Sequence, residues 1–123
     1  MSLNDLMSDY VARVNNARMA KNESVHVLKN KLAVAVSKKL TTLGYIKGFI
    51  EEGYDLILDL NLDRIHAIKR VSRPGQRVYT EAKKSPRITG GIGFTIVTTS
   101  QGVMTHVEAK KHNTGGEVLF QIY

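Results

Sequence analysis

The chain has 123 residues, no cysteine, and 18 Lys/Arg against 11 Asp/Glu, a formal net charge of +7. That length fits one compact domain or two small packed lobes, and the missing cysteine excludes disulfide scaffolds, thiolate catalysis and thiolate metal sites. Apolar residues at 42% describe a globular protein. With no apolar run near the ~20 residues of a membrane span and no basic-then-apolar start, a soluble intracellular protein is expected.

Leu3, Leu6, Met7, Tyr10, Val14 and Ala17 recur at helical spacing, which predicts an amphipathic helix over 3–20 with a cap at Asn4 or Asp5. Residues 24–28 alternate like a short strand. Asn30 caps a second predicted helix through Leu32, Val36, Leu40 and Leu43, and Gly44 stops it. Residues 45–50 and 55–62 read as two strands around a Glu51-Glu52-Gly53 turn. In the second half, 64–71 reads as a strand and 72–75 as a Pro-Gly turn. Residues 77–79 look extended, and 85–87 and 89–91 interrupt the chain again. Residues 94–98 read as a strand and 99–102 as a polar loop. Residues 103–111 are expected to form one short helix, 113–116 a turn, and 117–123 a closing strand.

The charge is uneven. Residues 1–63 carry eight Lys/Arg and eight Asp/Glu, whereas 64–123 carry ten against three, so the whole excess lies in the second half. Lys69, Arg70, Arg73, Arg77, Lys83, Lys84 and Arg87 crowd one stretch. A small basic protein of this kind suits a polyanion partner; a solvated basic face is the plainer account.

Signals for catalysis or cofactors are weak. Gly91-Ile92-Gly93 lacks the third glycine of a dinucleotide fingerprint and precedes a strand. Gly115-Gly116 lacks the Lys-Ser/Thr of a phosphate loop. His26, His66, His106 and His112 show no ligand spacing, so neither a metal nor another cofactor is expected. No nucleophile elbow exists. An enzyme is therefore not expected.

Three features suit RNA better, each with a plainer alternative. Thr98, Thr99 and Ser100 place successive hydroxyls before Gly102, where they can read base edges and 2′-hydroxyls or else cap the following helix. Tyr79, after Arg77, can stack on an unpaired base or lie half buried on a strand. Glu117, an acid in a basic half, can accept from a base amino group, orient an arginine, or stand as an exposed charge at a strand start. Gly115 and Gly116 beside it would let backbone approach RNA closely. Few aromatics are present, which favours structured RNA over extended single strands.

The motifs also resemble a known family. Residues 69–79, Lys-Arg-Val-Ser-Arg-Pro-Gly-Gln-Arg-Val-Tyr, resemble the K-R-[IV]-S-[KR]-P-G-x-R-x-Y signature of the bacterial-type small-subunit ribosomal protein eight family. Residues 91–105 are similar to its G-x-G-x-x-[IV]-[LV]-S-T-S-x-G-[VIL]-M-[TS] segment, and 115–119 to its terminal G-G-E-[VIL]-L strand. Arg13-Val14-Asn15-Asn16-Ala17 and Gly44-Tyr45-Ile46 extend the likeness over almost the full length. Departures fall mostly in the first half. Asn15 stands for an arginine, Leu43 for an acid, and Asn30-Lys31-Leu32-Ala33 for S-K-L-K, keeping the lysine at Lys31; Thr98 stands for serine.

The resemblance implies an α+β fold of two small packed lobes. Residues 1–63 would form a helix-strand-helix-strand-strand lobe, and 64–123 a basic, β-rich RNA-binding lobe with one short helix. It implies a non-enzymatic constituent of the small ribosomal subunit, in the cytoplasm or a plastid stroma. Such a protein is a primary binder of the central domain of 16S-type rRNA, helps organise platform assembly, and neighbours small-subunit proteins five and twelve. In some bacteria the family also binds its own operon mRNA. The RNA-binding residues expected on this basis are Lys31, Arg73, Arg77, Tyr79, Lys83, Arg87, Thr98, Thr99, Ser100, Gly102, Gly115, Gly116 and Glu117. The alternative is a nonspecific basic nucleic-acid-binding protein.

Overall fold

In the computed structural model, which describes residues 3–70, 79–80 and 93–123, the first helix, α1 (Leu3–Met19), buries Met7, Tyr10, Val11, Val14 and Ala17. These positions fall on one stripe at 3.6-residue spacing. The expected cap at Asn4 or Asp5 lies outside the described side chains. Strand β1 (Ser24–Leu28) leads to helix α2 (Lys31–Leu43). Asn30 caps α2 by accepting from the Ala33 N–H at 2.8 Å, and Gly44 ends it at φ 87°, where a glycine costs least.

Strands β2 (Ile46–Glu52) and β3 (Asp55–Leu60) form a hairpin, and β1 adds to the other side of β3. All pairings in this sheet are antiparallel. Leu56, Leu58 and Leu60 alternate inward along β3 and are fully buried, as period-two patterning requires. A bulge between Ile46 and Gly48 takes Lys47 out of register.

The second sheet has the order β4-β8-β6-β7, from β4 (Ile68–Arg70), β6 (Phe94–Thr99), β7 (Gly102–Thr105) and β8 (Gly116–Ile122); β5 (Tyr79–Thr80) also pairs with β8. Helix α3 (His106–Lys111) packs on β6 and β7. Helices and antiparallel sheets together make the fold α+β.

A continuous apolar cluster joins the two sheets. It takes Val27, Val36, Leu40 and Leu58 from the first half and Ile68, Ile96, Phe120 and Ile122 from the second. Helix α1 packs on β1, β4 and β8, and α2 on β2 and β7. Burying these side chains against one another is worth roughly 1.5–3 kcal/mol for each large one. Inside the cluster the Tyr10 hydroxyl and Ser37 Oγ share a hydrogen bond of 2.9 Å between α1 and α2, and burial raises the Tyr10 pKa.

Two expectations need correction. Residues 103–111 are not one helix: Val103 and Met104 pair with Thr98 and Val97 as part of β7, and only His106–Lys111 is helical. The break falls at Thr105, whose side chain accepts from the Glu108 N–H at 3.2 Å while the Glu108 carboxylate accepts from the Thr105 N–H at 3.3 Å. That reciprocal box is a helix start. Residues 64–71 are not a full strand either. Arg64 and Ile65 donate to the Asn61 carbonyl at 3.0 and 3.2 Å in a turn, so strand pairing begins at Ile68. The turns expected at 72–75, 85–87 and 89–91 lie outside the described residues.

Candidate nucleic-acid interface

Separate segments of the chain meet at one end of the second sheet. Tyr79 of β5 pairs with Glu117 of β8, Glu117 with Thr98 of β6, and Thr98 with Val103 of β7. The next row is Thr80, Gly116, Thr99 and Gly102. Residues in register across antiparallel strands share a face. The sheet thus brings Tyr79, Thr98, Thr99, Gly102, Gly116 and Glu117 together, with Ser100 and Gly115 at the adjoining ends of their strands.

The β6–β7 connection is a two-residue turn, Ser100-Gln101, exposed at the tip. The Thr99 hydroxyl donates to the Gly102 carbonyl at 2.9 Å and accepts from the Gln101 N–H at 3.1 Å. This hydroxyl therefore builds the turn. Thr98 is half buried, and Ser100 is exposed and projects past the sheet. The capping role considered for these hydroxyls belongs to Thr105 instead.

Gly102 sits at φ 118°, with open space where a Cβ would stand, so its backbone conformation explains the glycine. At Gly116 the reason is different. A Cβ there would overlap the Thr98 carbonyl oxygen and lie 3.2 Å from Thr99 Cα. Close approach of β8 to β6 accounts for this glycine.

Glu117 is 5% exposed, which removes the reading of an exposed strand-start charge. Its negative charge acts on Arg70 of β4. Burial lowers the Arg70 guanidinium pKa and the Glu117 carboxylate acts against that lowering. Arg70 also donates to the Leu119 carbonyl at 2.5 Å. Arg73, Arg77, Lys83 and Arg87 lie outside the described residues.

Lys31 is not part of that sheet end. It is the exposed first residue of α2 and borders a groove of about 660 Å³. Lys31, Val34, Ala35 and Lys38 fall at i, i+3, i+4 and i+7, so they line one helical face. Lys29 and Tyr54 complete the groove. The Lys29 N–H donates to the Tyr54 carbonyl at 2.8 Å, tying the β2–β3 turn to the start of α2. The Lys29 ammonium lies 3.3 Å from a Glu51 carboxylate oxygen. Tyr54 is 89% exposed. Lys31 is expected from the sequence; Lys29, Lys38 and Tyr54, which the structure places beside it, are not, although the helical spacing of Lys31 and Lys38 is visible there.

Among the described residues no helix is long and apolar enough to cross a membrane. Among the described residues, an exposed hydroxyl tip and the lysines around the Lys31 groove suit a nucleic acid more than a small substrate.

The family model described as ribosomal protein S8 matches residues 5–123. The small ribosomal subunit protein uS8 of Rippkaea orientalis (strain PCC 8801 / RF-1) is 41% identical over 133 aligned positions, which cover 100% of both chains. The uS8 of Trichormus variabilis (strain ATCC 29413 / PCC 7937) is 38% identical, again over 100% of both. The protein uS8c of Guillardia theta is 38% identical over 98% of each. The chain belongs to the ribosomal protein S8 family, whose members are structural, non-enzymatic constituents of the ribosome.

Proposed function

We propose that the protein is a structural constituent of the small ribosomal subunit that binds the central domain of 16S-type rRNA directly and helps organise platform assembly. Small-subunit proteins five and twelve are its proposed neighbours, and the cytoplasm or a plastid stroma its compartment. The observation that carries this reading is the pair of rows Tyr79–Glu117–Thr98 and Gly116–Thr99, in which three family-like motifs converge on one sheet end.

Binding divides into two physical parts. Residues 64–123 act as the main RNA-binding lobe, where Arg73, Arg77, Lys83 and Arg87 attract phosphate and release counterions. For roughly five neutralised phosphates, log K falls by about 4–5 per decade of salt. That attraction is blind to sequence. Ser100, Thr98 and Tyr79 supply the discrimination through hydroxyl contacts and stacking on an irregular RNA helix. Lys31, with Lys29, Lys38 and Tyr54, adds a second contact from the first half.

Chemical footprinting on full-length small-subunit rRNA tests the proposal. Protection of one defined helix of the central domain is the expected result. Scattered, salt-labile protection would favour the nonspecific basic binder.

A further inference from the structure

The first sheet has a face that neither helix covers. With Val25, Val27, Leu56, Leu58 and Leu60 turned into the core, the alternate residues of the same strands point outward. Their central row is His26, Ile57 and Ile50, and the next is Leu28, Asp55 and Glu52. On the other side Asp59 faces Gly48.

This face is apolar at its centre and acidic around it. Ile50 is 61% exposed and Leu28 39% exposed. A groove of about 420 Å³ runs past Gly48, Ile50, Ile57 and Asp59. Nothing lies within 4 Å of where a Gly48 Cβ would stand, so the groove is open there. Asp55, Asp59 and Glu52 contribute three carboxylates; of the cations at the rim, Arg13 and Lys29 are paired with Asp9 and Glu51, and Lys47 borders the groove. His26 Nδ1 lies 3.7 Å from an Asp55 carboxylate oxygen. On a chain of net charge +7 this is a negative patch.

We infer that this face docks a lysine- or arginine-rich segment of a second protein, one that carries apolar side chains between its cations. Phosphate is repelled by the three carboxylates, so RNA does not suit it. An apolar segment of neutral charge would leave those carboxylates uncompensated. A basic segment meets both requirements: its apolar side chains cover Ile50, Ile57 and Leu28 while its cations face Asp55, Asp59 and Glu52. The inference concerns a different surface from the proposed RNA contacts and does not depend on them.

The test uses the full chain and a labelled eight-residue peptide alternating lysine with valine, with a glutamate-valine peptide as control. Saturable binding of the lysine peptide at low salt is expected, with none of the glutamate peptide. Ile50→Asn and Asp59→Lys should each weaken it by about tenfold or more. Neither should lower affinity for small-subunit rRNA. Both changes lie at exposed positions, and Asp59→Lys alone carries the test if Ile50→Asn lowers the melting temperature. Equal peptide affinity in parent and variants would overturn the inference. So would a loss of rRNA affinity in a folded Ile50→Asn protein, which would give this face to RNA.

Discussion

The Thr99 hydroxyl lies 2.9 Å from the Gly102 carbonyl oxygen, and this bond closes the hairpin that presents Ser100. The two neighbouring hydroxyls therefore have different work. Thr99 is committed to the protein's own backbone, whereas Ser100 is exposed at the tip.

Thr99→Ala should lower stability by about 0.5–1.5 kcal/mol through the lost turn bonds, and Thr99→Ser should restore most of it. Ser100→Ala should change stability by no more than about 0.5 kcal/mol. Both alanine variants should lose affinity for central-domain rRNA while keeping affinity for a generic duplex. Denaturant unfolding and filter binding at several salt concentrations give the two readouts. If Ser100→Ala binds the cognate RNA as the parent does, the hairpin tip makes no specific contact.

Local chemistry was the readable part of this fold. Asn30, Gly44 and the alternation Leu56, Leu58, Leu60 announce their elements because capping, a positive φ and period-two burial act within a few residues. The boundary between β7 and α3 is hard to read because helix formers (Met104, Glu108, Ala109, Lys110, Lys111) and β-branched residues (Val103, Thr105, Val107) are mixed in this segment. What decides it is β7 pairing with β6 together with the Thr105–Glu108 box. The site was legible as motifs and not as geometry. Tyr79 and Glu117 are 38 positions apart in the chain, and only the β5–β8 register makes them neighbours. Glu117's buried setting beside Arg70 is likewise a product of strand order, β4 next to β8. The Lys31 groove escaped notice for the same reason, since Tyr54 reaches it from a hairpin turn.

The RNA contact proposed at that groove is testable separately from the one at the second sheet. Tyr54 is so exposed that Tyr54→Ala should cost little stability, within about 0.5 kcal/mol. If the ring stacks on a base, the substitution should cost about 1–3 kcal/mol of rRNA affinity with no change in salt dependence. Tyr54→Phe should keep most of that affinity. Lys31→Ala should instead lower the salt slope by about 0.9, the signature of one lost phosphate contact. Titrations across a range of salt distinguish the two, and parental binding by both variants would confine RNA contact to the second sheet.

The contact between α2 and α3 should make the fold sensitive to acid. Glu108 accepts from the Lys39 ammonium at 2.8 and 3.0 Å and from the Thr105 N–H at 3.3 Å. Burial alone would raise its pKa, but the bonds from Lys39 and Thr105 outweigh that and hold it below 4.5. Next to it, burial lowers the His106 pKa below 6.5. His106 Nδ1 accepts the Thr95 N–H at 3.1 Å, which requires the unprotonated nitrogen. In both cases the unfolded chain takes up the proton more readily than the folded one. The stabilisation is thus complete above the unfolded pKa and is lost as pH falls. Melting temperature should decline in two stages, first below about 6.5 from His106 and then below about 4.5 from Glu108. His106→Gln should remove the first stage. Glu108→Gln keeps a residue suited to the capping box but loses the ion pair, so it should cost up to about 1 kcal/mol at neutral pH and flatten the second stage. Melting curves from pH ~3.5 to pH ~7.5 on the parent and both variants supply the comparison. Variants that track the parent at every pH would mean that other groups control its acid response.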